Sequence, residues 1–409
     1  MNTISDRVPA SSAQFGIWMG QQMAPLSPCY LTAETIALSG VLDLAALSAA
    51  VRDVLNHSAT LHMRFEMDDS GLWQWPQTPA AALEYVDFRQ QADPDAAAQQ
   101  WIQQSLAILC DPTRDLLYRS ALLQTADDQQ LWYLQVHHIA LDGFGYGLIC
   151  QAVAARYSAI VQGLPLPVLP DWSLDKVLQA EKTYKDNGKF SQDQAFWIAH
   201  MRHAPGSATI DPAQEFSDEV LRHSTRLGAA KLSALQLAAK QSGQDWGSWM
   251  LAAISLWLAK QSGQRQFTFG LPVKNRLGTP AINIPCMAMN IVPMSVYIDP
   301  AMSMQDLSRQ LAQSMKTIRP HLYYRYGWIR ADLGLLEVQK HLFNQAVNIM
   351  PFDRLAPFAG LHSVIHPITA GPVKDLNVSV SVLNTEWRVG MEANPNEYSM
   401  DILNELQDE

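Results

Sequence analysis

The chain has 409 residues, of which 48% are hydrophobic and 17% charged, the composition of a folded protein and not of a disordered one. A formal net charge of −10 argues against nucleic acid as the main partner. The longest apolar run, residues 249–259, is about half a membrane span, and the N-terminus lacks an apolar signal core, so we expect no membrane partner and a cytoplasmic location.

The first half of the chain mixes helices and strands. Asp43 is typical of a helix N-cap, and the apolar residues after it share one helical face. Asp93-Pro94 predicts the start of a second helix, since proline is tolerated in a first turn. Alternating patterns predict strands at residues 35–38, 61–65, 120–124 and 131–138.

A Gly/Pro cluster interrupts the pattern near the middle of the chain. A helix running to about Val161 is followed by Gly163-Leu-Pro-Leu-Pro167 and then by Pro170. Such clusters favour loops, and 409 residues are too many for one ordinary core. We therefore predict two subdomains, residues 1–170 and 171–409.

The second half is expected to begin with helices and then to alternate strands with helices. Ser191 is a candidate N-cap for a helix that carries Trp197, and two further helices are predicted at residues 229–241 and 245–260. The predicted strands cover residues 266–273, 287–298, 345–350, 377–383 and 387–393.

The segment with the clearest chemical content is Val136-His-His-Ile-Ala-Leu-Asp-Gly-Phe-Gly-Tyr-Gly147. It follows a predicted strand, so His137 and His138 should point to opposite faces. The two imidazoles then cannot share one metal ion, and we predict no metal site.

A histidine at a strand end can serve as a general base or hydrogen-bond acceptor for an attacking nucleophile. We assign that catalytic role to His138 and a structural role to His137. Asp142 stands at the following turn, and Gly143 opens the next helix, where a glycine lets a substrate approach the backbone.

The pattern HHxxxDG resembles the signature of the condensation domains of nonribosomal peptide synthetases. Further segments resemble other motifs of that family in the same order along nearly the whole chain. They are Ser12–Trp18, His57–Phe65, Gly270–Arg276, Met289–Pro293, His321–Tyr326, Phe343–Phe352 and Gly371–Leu376.

The resemblance implies an α/β fold of two chloramphenicol-acetyltransferase-like subdomains, arranged as a V-shaped pseudo-dimer with the active site at their interface. It also implies a structural ion pair between Asp142 and Arg276, although an aspartate here could instead be a catalytic acid or base. Asn348, in a predicted strand of the second half, could hydrogen-bond a substrate or serve as buried scaffold.

The function expected from this family is amide formation between an acyl thioester donor and an aminoacyl acceptor. Both substrates would be attached to phosphopantetheine arms of carrier proteins, a neighbouring adenylation domain would activate them, and this domain would bind no cofactor of its own. The segment Leu141-Asp-Gly-Phe144 is similar to the same part of the motif in condensation domains of enterobactin- and vibriobactin-type siderophore synthetases, which accept an aryl acid.

Other functions stay open. A free-standing ester-forming acyltransferase shares HHxxxDG, as does an epimerising relative, and an inactive domain could still recruit carriers. A heterocyclising relative would have aspartates in place of the histidines. Ser58 stands where the family usually has glutamate. The sequence ends at Glu409, short of the family's last helix, so we expect the parent protein to continue beyond it. Few residues precede the first motif, so we expect the donor carrier on another chain or on a part of the parent protein that precedes this sequence.

Overall fold

The computed structural model describes residues 7–79, 82–208, 217, 219–335, 341–350, 357–369, 371–383 and 386–409. The chain divides into two compact units. As far as these are described, the first comprises Met1–Thr183, Arg276–Ala288 and Arg354–Gly371, and the second comprises Tyr184–Asn275, Met289–Asp353 and Pro372–Glu409. The predicted boundary at residue 170 marks a break in local pattern, whereas tertiary packing also brings two later segments to the first unit.

Helices occur throughout the described part of the chain, and most begin at a side-chain cap. Asp43, Asp93, Asp142, Asp245, Ser303 and Ser399 each accept a hydrogen bond from a backbone N–H of the first turn. The helices are α1 (Ser12–Met23), α2 (Leu44–His57), α3 (Pro94–Leu106), α4 (Gly143–Val161), α5 (Asp175–Asp186), α6 (Lys189–Met201), α7 (Ala229–Gln241), α8 (Trp246–Ser262), α9 (Met304–Ile318), α10 (Tyr326–Asp332) and α11 (Met400–Asp408).

In the described part of the chain, the strands form three sheets. They are β1 (Val8–Pro9), β2 (Leu31–Ser39), β3 (Met63–Asp68), β4 (Gly71–Pro76), β5 (Glu84–Asp87), β6 (Tyr118–Ala126), β7 (Gln129–His137), β8 (Leu221–Arg226), β9 (Gln266–Val273), β10 (Asn290–Tyr297), β11 (Ala346–Met350), β12 (His362–Thr369), β13 (Leu376–Leu383) and β14 (Glu386–Ala393).

The main sheet of the first unit has the order β12-β2-β7-β6-β5, and β1-β4-β3 form a small second sheet. Strand β7 is central, antiparallel to both β2 and β6. Its alternating side chains divide between two cores: Trp132, Leu134 and Val136 pack with residues of α2 and α4, whereas Tyr133 packs with Ile102 of α3. The side chains from Trp132 to Val136 therefore alternate between the two faces of the sheet as predicted.

The second unit contains a six-stranded sheet with the order β10-β9-β11-β13-β14-β8. Strand β11 is parallel to both of its neighbours, β9 and β13. The core of the second unit combines apolar strand residues such as Phe267, Val292 and Val347 with Leu258 of α8 and Leu311 of α9.

Several predicted boundaries were wrong, and two of them have a clear physical cause. Ser191 does not cap α6, because the helix begins at Lys189 after Gly188, and Lys189 pairs with Asp193 one turn later at 2.7 Å. The strand predicted at 287–298 begins only at Asn290, because backbone groups of Cys286 and Ala288 bond elsewhere, as described below.

Strands β1, β4, β5, β8 and β12 and helices α1 and α11 were not predicted. Strand β12 contains Pro367, which interrupts the usual strand pattern and is tolerated because β12 lies at the edge of its sheet. Within the described residues, no helix combines the length and the apolar character needed to cross a membrane.

Candidate active site

The candidate site lies where β7 ends and α4 begins. His137 is the last residue of β7, and its N–H donates to the Leu117 carbonyl at 2.7 Å. The N–H of His138 donates to the carbonyl of Tyr30, just before β2, also at 2.7 Å. On the β2 side, the backbone hydrogen bonding thus continues one residue past the end of β7, which fixes where the His138 side chain starts.

The imidazole of His138 is held by its own turn. Its Nδ1 lies 2.7 Å from the carbonyl oxygen of Leu141. A carbonyl oxygen can only accept, so Nδ1 carries the proton, and in the neutral ring Nε2 has the lone pair. Among the described residues no hydrogen-bond partner occupies Nε2, and His138 is 8% exposed. The ring is therefore oriented to accept a proton or hydrogen bond at Nε2.

Burial also sets the charge of this ring. Desolvation lowers the pKa of His138 below its ordinary value of 6.5, although the bond to Leu141 and the nearby Asp142 carboxylate oppose the shift. His138 is therefore neutral at pH 7, the form in which Nε2 can act as an acceptor.

His137 has a different environment. It is 1% exposed, and its Nδ1 accepts the N–H of Ile139 at 3.1 Å, so the neutral ring carries its proton on Nε2. That Nε2 is buried without a hydrogen-bond partner among the described residues. Burial, with the neighbouring His138, lowers the pKa of His137 to about 3. A buried ring that accepts a local backbone N–H is consistent with a structural role.

Asp142 joins two segments of the first unit, the start of α4 and residues 276–288. As N-cap of α4, its Oδ1 accepts the N–H of Gly145 at 2.9 Å and also bonds Arg276 Nη2 at 2.8 Å. Its Oδ2 accepts the N–H of Ala288 at 3.1 Å. The side chains of Asp142 and Arg276 are 2% and 0% exposed, so the expected ion pair is present and buried.

Arg276 organises the loop that follows it. Besides Asp142, its guanidinium donates to the carbonyls of Ala281, of Ile284 at 2.8 Å and of Cys286 at 2.7 Å. Thr60 holds the same loop from the first half of the chain, since its hydroxyl donates to the Pro285 carbonyl at 2.8 Å. Residues 276–288 are thus attached to the first unit by a buried charge and its hydrogen bonds.

The glycines at the start of α4 serve two purposes. Gly143 is exposed although the adjacent Asp142 is buried, which is consistent with the predicted substrate contact. Gly145 is buried, and a Cβ there would lie 3.0 Å from Leu141 Cδ2 and 3.4 Å from the backbone of Cys286. Gly145 therefore allows the loop of Arg276 to pack closely on α4.

Asn348 lies in the second unit. It is partly buried in the middle of β11, opposite Ser379 of β13. The motif that contains it continues to residues 351 and 352, which lie outside the described residues. Its proposed substrate contact stays a prediction.

Sequence reasoning missed several residues that complete the site. The carbonyls of Tyr30 and Leu141 and the hydroxyl of Thr60 have no side-chain signature in the motif. Gly145 was visible as the middle glycine of Gly-x-Gly-x-Gly but was not assigned a role. Within the described ranges, no group of three or more His, Cys, Asp or Glu side chains could hold a metal ion.

The fold and this motif have known counterparts. A family model described as the condensation domain matches residues 4–409. Condensation domains are acyl-transferring enzyme domains of nonribosomal peptide synthetases. The chain belongs to the condensation-domain family.

Curated relatives are large synthases. The chain is 33% identical over 393 residues to a dimodular nonribosomal peptide synthase of Bacillus subtilis, covering 95% of this chain and 16% of that protein. It is 34% identical to an isonitrile lipopeptide synthase of Streptomyces coeruleorubidus, covering 99% and 28%, and 29% identical to enterobactin synthase component F of Escherichia coli, covering 92% and 30%. The chain thus spans less than a third of each of these relatives.

Solved structures agree with the fold. The starter condensation domain of rhizomide synthetase RzmA, in complex with C8-CoA and Leu-SNAC, matches with a TM-score of 0.91 and 32% identity, covering 99% of this chain and 93% of that one. The first condensation domain of the calcium-dependent antibiotic synthetase, with a substrate analogue, matches with a TM-score of 0.89 and 26% identity, covering 99% and 95%. The predicted mixed α/β fold of this family is confirmed.

Proposed function

We propose that this domain forms an amide bond between a carrier-bound acyl thioester and the amine of a carrier-bound aminoacyl acceptor. The observation that carries the proposal is the orientation of His138. Its Nδ1–H donates to the Leu141 carbonyl, so the lone pair on Nε2 is the one that can accept a hydrogen bond from a substrate.

The reaction needs no redox partner and no activation step in this domain. The acceptor nitrogen attacks the thioester carbonyl carbon, a C–N bond forms and the C–S bond breaks. Nε2 of His138 accepts the hydrogen bond of the attacking amine and takes its proton, which then passes to the leaving thiolate. The products are an amide and the free thiol of the donor carrier.

Positioning is the larger contribution that we assign to the protein. General-base action accelerates a reaction by about 10²–10⁴-fold, whereas alignment of two bound reactants can exceed that. His138 is suited to both because its ring is fixed and neutral. Asp142 has both carboxylate oxygens engaged by Arg276, Gly145 and Ala288, which supports a structural role and not proton transfer.

The donor and partners follow from the thioester chemistry. Carrier proteins would deliver both substrates on phosphopantetheine arms, and an adenylation domain would load them. The likeness to enterobactin synthase component F supports an aryl donor and siderophore biosynthesis. The likeness to an isonitrile lipopeptide synthase and to a domain solved with C8-CoA supports an alkanoyl donor as second candidate.

One assay matrix tests the proposal and its alternatives. Purified domain is mixed with a carrier loaded with 2,3-dihydroxybenzoyl or octanoyl groups, and with a seryl acceptor or its hydroxy-acid analogue. We expect amide from the amine acceptor and no more than a trace of ester. Ester as the main product would establish the ester-forming alternative, and no product with any pair would favour an inactive recruiting domain.

A further inference from the structure

A glycine, Gly371, borders Nε2 of His138, and the role we assign to it rests on the proposed function. Strand β12 pairs with β2 from His362 opposite Ser39 to Thr369 opposite Ala33. The hydroxyl of Thr369 donates to the Leu31 carbonyl at 3.1 Å. Because the residue before Leu31 binds the backbone of His138, the end of β12 is brought to the catalytic turn.

Gly371 lies directly against the imidazole. A Cβ at this position would be 3.5 Å from Cδ2 and 3.9 Å from Nε2 of His138. The opposite edge of the ring is closed, since Nδ1 bonds Leu141. Gly371 therefore borders the ring edge that carries the free lone pair.

We propose that Gly371 sets the size of the acceptor that can reach His138. An attacking nitrogen must come within about 3 Å of Nε2, and its α-carbon and substituents must occupy the surrounding space. A methyl group at Gly371 would fit against the ring, but it would take up volume beside that approach. Larger side chains would extend further over the Nε2 edge. The side chain at position 371 and the side chain of the acceptor would then occupy the same space, so a larger residue at 371 should exclude larger acceptors.

Backbone conformation is the alternative reason for a glycine here. Gly371 has φ +119°, a region that residues with a Cβ adopt only under strain. Gly71 offers a matched control in the same unit, because it has φ +136° and a Cβ there would point into open space among the described residues. Gly71→Ala should carry similar backbone strain without any change beside His138.

The experiment measures kcat/KM for glycyl, alanyl and leucyl acceptors, as soluble thioesters, with one carrier-bound donor. In Gly371→Ala we expect the leucyl-to-glycyl ratio to fall by about 10-fold or more, the effect of one carbon in a close-fitting site. Gly371→Val should lower the rate with every acceptor further, and Gly71→Ala should leave the ratio unchanged. An unchanged ratio in folded, active Gly371→Ala would overturn the proposal.

A measurement on the wild-type protein keeps the proposal testable if Gly371→Ala does not fold. Because Gly371 places no side chain beside Nε2, an acceptor with two α-methyl groups, the 2-aminoisobutyryl thioester, should react within about tenfold of the alanyl one. Its rejection would overturn the role of Gly371. Absence of amide with every soluble acceptor and also with carrier-bound acceptors would instead overturn the proposed function itself.

Discussion

The carbonyl oxygen of Leu141 lies 2.7 Å from Nδ1 of His138, three residues earlier in the same turn. This one contact decides which ring nitrogen holds the proton, and hence that Nε2 is the nitrogen available to a substrate. It is a backbone contact, so it depends on the shape of the turn and not on the identity of residue 141.

The protonation state of His138 can be measured directly. Since burial lowers its pKa, we expect the ring to be neutral at pH 7, to titrate below 6.5 and to carry its proton on Nδ1. Nitrogen-15 NMR of histidine-labelled protein, assigned with His138→Gln, reports both properties. A ring protonated on Nε2 at pH 7 would contradict the proposed acceptor role.

Asp142→Ala should destabilise the domain strongly. It leaves the guanidinium of Arg276 buried without its carboxylate, which costs about 3–5 kcal/mol of unfolding free energy. Urea denaturation measures this loss. Lys176→Ala, which breaks an exposed pair with Asp171, is the control and should cost less than about 1 kcal/mol.

A double variant, Asp142→Ala with Arg276→Met, separates two effects on stability, the cost of an unpaired buried charge and the loss of the hydrogen bonds that hold the loop after Arg276. It should recover only part of the stability, because the carbonyls of Ala281, Ile284 and Cys286 lose their donor. A fully stable but inactive Asp142→Ala would mark the aspartate as directly catalytic and contradict the structural role.

His137 should make stability depend on pH. Its folded pKa of about 3 lies below the unfolded value of 6.5, so the unfolded state binds the extra proton. The contribution of the neutral His137 ring to the free energy of unfolding is present above pH 6.5. It is lost as the pH falls toward 3, by up to about 1.4 kcal/mol per pH unit. His137→Asn keeps an acceptor for the Ile139 N–H but cannot titrate, so its unfolding free energy should fall less steeply over this range. An identical slope in the variant would show that His137 is not the titrating group.

Turnover should depend on the carrier. Binding energy from the carrier and the pantetheine arm can be used to align the thioester, so it should affect kcat and not only KM. We expect a carrier-loaded donor to react far faster than the same acyl group on a short soluble thiol. Comparable rates from the two donors, or any product from the free acid with ATP alone, would contradict the thioester mechanism.

The local pattern was sufficient to locate the turn that carries His138 and most helices. Alternation along β7 indicates that His137 and His138 differ in environment, and Asp142 is recognisable as a helix cap. What the pattern cannot show is which distant segments meet. The bonds of His138 to Tyr30, of Thr60 to Pro285 and the approach of Gly371 to the ring each join segments that tertiary packing brings together.

Two local signals were also ambiguous. Pro367 interrupts the strand pattern of β12, and only its position at a sheet edge makes the proline acceptable. The apolar run before Asn290 has strand character, but Ala288 donates its N–H to Asp142. Long-range hydrogen bonds overrode the local preference there.

The most direct test of the account is the rate of single-turnover amide formation from a preloaded donor carrier and a carrier-bound amine acceptor. Mass spectrometry detects the product, and the rate is compared among wild type, His138→Ala and His137→Asn. We predict that His138→Ala lowers the rate by at least about 10²-fold with an unchanged melting curve, whereas His137→Asn stays within about tenfold of wild type. A folded His138→Ala that retains the wild-type rate, or an equal loss in both variants with both still folded, would contradict the assignment of His138.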